Sequence, residues 1–254
     1  MRLIITGCEY SGTTTLSFEL AKWGKKQFIE SGKEEAGWDL NAFHDHWKIP
    51  HVNNFSSPKT LKEQNELIAE YPDASNGDWS RTGLTKKEQE MILGLTPRLK
   101  EMFQRYHLEY HIQKAFYEQN HHIMIGAHIE EGIYGPLYFG YGGPGQKGER
   151  EKSMRSFEEQ ILEIAPDTIL ILVKADPEVI KNRMEADPHS NGCLKEKDIE
   201  HVLKRFDEEY EASLLNNKFT IDTSSSKIGE SFEELIQILP VSYTHLTLPT
   251  ILLV

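Results

Sequence analysis

The stretch Gly7-Cys8-Glu9-Tyr10-Ser11-Gly12-Thr13-Thr14 has the composition and spacing of a loop that holds a phosphate. A glycine, four intervening residues and a second glycine let successive backbone N–H groups turn inward onto phosphate oxygens. A helix expected from Thr13 onward adds the partial positive charge of its N-terminus. Together with Thr15, these residues are the expected nucleotide-phosphate site. Thr14 stands where a loop hydroxyl would ligate Mg²⁺. Thr13 stands where a lysine ordinarily contacts the β- and γ-phosphates. Its replacement predicts a weaker hold on the terminal phosphate unless another cation substitutes.

Phosphoryl transfer also needs cations around the moving group and a carboxylate to orient or deprotonate the acceptor. Lys181 and Arg183 follow a strand expected to end near Lys174, and Lys195 and Lys197 lie beyond an Asn191-Gly192 turn. Lys181, Arg183 and Lys195 are the expected lid cations; for the lysines a solvated helix face is the alternative. Asp45, in Phe43-His44-Asp45-His46-Trp47, lies near the expected end of the second strand. Open α/β sheets bind ligands at that edge, which makes Asp45 the first candidate for general base or acceptor contact. Glu130 is the second, at the end of a strand expected over 123–129. Either carboxylate could instead make structural hydrogen bonds in a loop. His44, His46 and His51 match no closed zinc site and have no cysteine beside them. His121 and His122 read as surface or capping residues.

The elements that must position these groups alternate in type. Apolar runs at 3–6, 123–129 and 168–173 read as strands, with weaker ones at 40–43 and 218–222. Helices are expected at 13–31, across much of 85–120 with a break near Pro97, and at 153–164, 177–184 and 197–214. Leu16, Leu20 and Trp23 fall on one face of the first helix. TILILV at 168–173 is continuously apolar, as suits a parallel strand covered on both faces. The expected fold class is therefore α/β, a three-layer doubly wound parallel sheet. Residues 50–83, rich in Pro, Asn, Ser and Asp, read as an insertion. The glycine-rich stretch 132–148 lacks a strand–helix frame around GYGGPGQKG and reads as a lid or linker rather than a second phosphate loop.

Bulk composition narrows the field. The chain has 254 residues, 38% hydrophobic and 27% charged, as expected for one soluble domain over 1–240. A net charge of −12 argues against nucleic acid as the main partner. Two distant cysteines form no disulfide framework and fit a reducing cytoplasm. The N-terminus opens directly on a strand, without the pattern of a signal peptide, and no apolar run is long enough to span a bilayer. The tail 241–254 breaks with what precedes it. VSYTHLTLPT at 241–250 resembles the translation of a sequencing-library adapter, and the expectation is that it carries no function.

Several stretches resemble nucleoside and nucleotide kinases of the P-loop NTPase type. TILILVKADPEVIKNRM at 168–184 resembles their late strand and the helix leading to the lid, with Arg183 at the lid position. DIEHVLKRFDEEYEAS at 198–213 resembles the helix after the lid, and FTIDT at 219–223 their final strand. EEGIYGPLYF at 130–139 resembles the Glu-Arg-Ser region of deoxynucleoside kinases, with Glu131 and Gly132 in place of its Arg and Ser. This resemblance implies a kinase-like phosphotransferase using Mg²⁺ with ATP or a related nucleotide, and a small-molecule acceptor. SGTT at 11–14 resembles the phosphosulfate loop of sulfotransferases, which also lacks the lysine; their Arg-Asp-Pro is matched here only as Ala175-Asp176-Pro177. A third reading is a non-catalytic nucleotide-binding protein, consistent with Thr13 and Glu131.

Overall fold

The computed structural model describes residues 2–30, 38–42, 86–113, 121–189 and 192–239. Asp45, the three histidines near it, the insertion 50–83 and the tail 241–254 lie outside the described residues. Five parallel strands form one sheet: β1 (Arg2–Thr6), β2 (Trp38–Ala42), β3 (His121–Ile125), β4 (Ile169–Lys174) and β5 (Asn217–Asp222). Their order is β2-β3-β1-β4-β5, with Ile4 opposite Met124 on one side and Leu170 on the other. The chain first fills the β3 side of β1 and later the β4 side. The carboxyl end of β1 is therefore the point where the winding reverses, and where such sheets bind ligands.

Alternation along the strands divides the core into two layers. Ile4, Met124, Leu170 and Leu172 face α4 (Ala127–Tyr134), α5 (Arg150–Ile164) and α7 (Ile199–Ala212), against Ile133, Ile161, Val202 and Phe206. Leu3, Ile5, Ile125 and Ile171 face the other way. There they meet Leu16 and Leu20 of α1 (Thr13–Glu30) and Leu235 of α8 (Ile228–Ile238). Leu16 and Leu20 are fully buried, and each contributes about 2 kcal/mol by leaving water. The fold class is as the sequence implies: a three-layer doubly wound parallel α/β sheet.

Helices α2 (Lys86–Leu93) and α3 (Pro97–His111) break at Gly94–Thr96, and Pro97 opens the second at its first position. Pro177 does the same for α6 (Pro177–Ala186). The expectation for 123–129 needs correction. β3 starts at His121 and stops at Ile125, because Gly126 turns the chain out of the sheet at φ +80°. Ala127–Tyr134 is helix, and Gly135–Phe139 continues it as a π turn, where a loop was expected. Every residue of α4 is buried, and the short, largely apolar run 123–129 that leads into it fits a strand or a buried helix equally well in sequence. His122 is also corrected: it is a fully buried strand residue opposite Arg2, not a surface cap.

Candidate phosphate-binding cleft

At the end of β1 the backbone folds into the expected loop. Gly7 allows no side chain: a Cβ there would collide with the Val173 carbonyl and lie 2.7 Å from Ser11 Oγ. Tyr10 and Gly12 take positive φ, +68° and +101°, and the Ser11 N–H closes the turn onto the Cys8 carbonyl at 2.9 Å. Helix α1 then starts at Thr13. The first N–H groups of a helix have no partner within it and remain available to an anion. The Ser11 hydroxyl is buried with no hydrogen-bond partner among the described residues. Thr14 is half-buried on the wall of the cleft. Thr13 is 9% exposed, and its carbonyl accepts from the Ser17 hydroxyl at 2.7 Å. Its side chain ends at the γ atoms, far short of a lysine's reach.

This loop forms one wall of a cleft of about 880 Å³, whose other walls include Glu130, Arg183, Asp187, His189 and Thr223. Arg183 lies on the cleft wall, and its hydrogen bonds run to the loop's backbone. Nη1 donates to the carbonyls of Tyr10 at 3.0 Å and Ser11 at 3.3 Å, and to Thr223 Oγ1 at 3.1 Å. Nη2 donates to the Thr223 carbonyl at 2.8 Å. Thr223 Oγ1 itself donates to the Ser11 carbonyl at 2.7 Å. Partial burial lowers the pKa of Arg183, yet a guanidinium starts so high that it stays charged. It ties α6, the loop and the end of β5 together.

The loop is fastened on its other side as well. Glu9 Oε1 and His189 Nδ1 lie 2.8 Å apart, and Oε2 accepts the Leu194 N–H at 3.0 Å. The Tyr10 ring stacks on His189 with centroids 4.2 Å apart, and its hydroxyl accepts the His189 N–H at 3.0 Å. The Glu9 N–H donates to the Tyr134 hydroxyl at 3.0 Å. Sequence reasoning missed His189 and Thr223. The signal available was an acid and an aromatic inside the loop, since neither helps to cradle a phosphate.

Glu130 lines the cleft from the first turn of α4 rather than from a strand end. It is 4% exposed, and its carboxylate folds back over Gly126, where a Cβ would strike it. Lys181 and Lys195 are not among the lining residues. Lys181 pairs with Glu196 at 2.7 Å, and Lys195 Nζ sits 5.4 Å from the centre of the Tyr138 ring. Lys197 is exposed. The cleft walls carry the carboxylates of Glu9, Glu19, Glu130 and Asp187 against the cations Lys22 and Arg183. Such walls repel bare polyphosphate. Burial, reinforced by Glu9, pushes the thiols of Cys8 and Cys193 well above their ordinary pKa, so both stay protonated and unreactive.

No protein-family model and no curated protein matches the chain. Among solved structures, the YorR protein of Bacillus subtilis in complex with phosphorylated GDP is 14% identical. The match covers 96% of this chain and 98% of that one, with a TM-score of 0.51. A thymidylate kinase from Candida albicans is 16% identical over 96% and 93% of the two chains, with a TM-score of 0.48. Deoxyadenosine kinase from M. mycoides is 14% identical over 93% and 97%, with a TM-score of 0.47. Sheet order and loop define the fold: a doubly wound parallel α/β sheet with a glycine-bearing strand-to-helix loop at the carboxyl end of β1.

Proposed function

We propose that the chain is a kinase-like phosphotransferase that binds ATP or a related nucleotide at residues 7–15 and acts on a small-molecule acceptor. One observation carries this reading. A strand–loop–helix turn, with no room for a side chain at Gly7 and a positive φ at Gly12, opens a helix N-terminus into a cleft of about 880 Å³. The phosphorylated GDP held by the YorR protein supports it.

Among the described residues no cluster of three or more His, Cys, Asp or Glu is placed to hold a metal ion. Mg²⁺ fits this donor set, because it is usually held by one or two protein oxygens plus substrate phosphates and waters. Thr14 would hold it, and when bound it would neutralise the phosphates against the acidic walls. Arg183 keeps the loop in shape, and Asp45 or Glu130 handles the acceptor. The two free thiols support a reducing compartment, the cytoplasm, as its location.

Calorimetric titration of the full chain with ATP, with and without Mg²⁺, is the test. The expected result is binding that requires Mg²⁺ and that Thr14→Val weakens. No detectable affinity under either condition would overturn the proposal. The SGTT sequence supports a second reading, a sulfotransferase-like enzyme, which a preference for adenosine 3′,5′-bisphosphate over ATP would select. Thr13 supports a third, a non-catalytic nucleotide binder. Unchanged ATP affinity in Thr13→Lys, with no transfer to any acceptor, would select that one.

A further inference from the structure

Beside the cleft lies a second polar centre that the reading above does not use. Lys100, Glu101, Gln104, His107 and His111 share the buried side of α3. That helix packs on α4 and on the π turn after it. Arg150, the first residue of α5, enters the same region and is 3% exposed. Its Nη1 donates to Glu101 Oε1 at 2.9 Å, and Nη2 stands 3.9 Å from Glu131 Oε2. The Tyr141 hydroxyl donates to that same Glu131 oxygen at 2.7 Å. The turn 140–148 closes over the pair. A Cβ on Gly142 would lie 2.8 Å from Arg150 Cγ, and one on Gly148 would strike Glu101.

Two features of this centre are unexplained by folding alone. Arg150 Nε and Nη2 are buried with no hydrogen-bond partner among the described residues. Leaving donors of a buried charge unmet is costly, and folded proteins rarely do so without a ligand or water to meet them. Nε and Nη2 form one side of the guanidinium fork, the side that matches two oxygens of a carboxylate or phosphate. The charge count points the same way. Lys100, Arg105 and Arg150 face Glu101 and Glu131, three cations to two carboxylates. Among these described groups the cations outnumber the carboxylates by one. His107 and His111 on the same side of α3 add to it only if protonated.

We propose that the Nε–Nη2 edge of Arg150 binds one anionic group, a carboxylate or a phosphate, of the molecule that accepts the phosphoryl group. Glu130 lines the cleft and Glu131 meets Arg150, and the two are consecutive on α4. The centre therefore adjoins the cleft on its β3 side, at the carboxyl edge of the sheet. Assigning the anion to the acceptor rests on the phosphotransferase reading; anion binding by Arg150 does not. The specificity that follows is for an acidic acceptor over its neutral counterpart.

The test follows the Arg150 Nε–H resonance in ¹⁵N-labelled full-length protein, assigned by its loss in Arg150→Lys. The probes are inorganic phosphate, acetate and the neutral isostere acetamide. The expected result is saturable movement with phosphate or acetate and none with acetamide, and the stronger of the two identifies the anion. Arg150→Lys weakens binding of that anion at least tenfold, while Tyr141→Phe retains the signal. If Arg150→Lys fails to fold, the Nε–H resonance is assigned instead by through-bond correlation to the Arg150 backbone in ¹³C,¹⁵N-labelled unaltered protein, and the same titration decides. Movement with neither anion, or equal movement with acetamide, overturns the proposal. Failure of ATP to bind in a parallel titration would overturn the phosphotransferase reading and leave the Arg150 result standing.

Discussion

Arg183 holds the loop by its backbone, so replacing it tests whether the loop's shape or the cation's charge matters. Arg183→Ala takes a charged donor from the carbonyls of Tyr10 and Thr223, while the Ser11 carbonyl keeps the Thr223 hydroxyl at 2.7 Å. Each carbonyl that loses such a donor costs about 1–3 kcal/mol when buried. Arg183 is half-buried, so water can partly replace it. The expected loss is about 2–3 kcal/mol of folding stability, from those two carbonyls after that discount. Urea denaturation with an unchanged slope would show it.

On the proposed function, the same change also loosens the loop that receives the phosphates. About 1.4 kcal/mol of extra ordering on binding weakens ATP tenfold, which calorimetry resolves. Arg183→Lys should behave like Arg183→Ala within about twofold, because an ammonium cannot bridge carbonyls on both sides as the planar fork does. Two outcomes refute this reasoning. Full recovery in Arg183→Lys would mean that charge alone matters. Loss of turnover in Arg183→Ala with stability and ATP affinity intact would return Arg183 to the transferring group.

Gly7→Ala forces a methyl group against the Val173 carbonyl and Ser11 Oγ. It should cost about 3 kcal/mol or more and abolish nucleotide binding, read by thermal unfolding with and without Mg-ATP. Lys181→Ala should leave both the denaturation midpoint and ATP affinity unchanged, since Lys181 and its partner Glu196 are surface groups. Burial raises the Glu158 pKa, but hydrogen bonds from His128, the Leu214 N–H and the Ser213 hydroxyl outweigh it and hold the carboxyl below its ordinary 4.5. A depressed folded-state value gives stability that is complete above pH 4.5 and lost as pH falls through the lower value. Glu158→Gln should therefore destabilise the protein at neutral pH and flatten its acid unfolding below pH 4.5, measured by denaturation across pH.

The phosphate loop was legible because its constraints act on the backbone. Gly7 leaves no room for a Cβ and Gly12 takes φ +101°, and glycine spacing reports such positions directly. The sheet was legible for a related reason: strands such as Ile169–Lys174, covered on both faces, are apolar throughout. Burial by apolarity leaves a pattern in sequence, whereas burial by pairing does not. Lys100, Glu101 and Arg150 have the composition of a solvated surface, and only the fold shows that they are inside. Arg183 is the same lesson at the cleft. Its spacing after the late strand marked it for the site, but the distances to Tyr10, Ser11 and Thr223 decide what it does there. A loop that carries threonine in place of its lysine depends all the more on such hidden charges. The contacts that shape it come from residues whose partners lie far away in the chain, as Arg183 does on Tyr10 and Thr223.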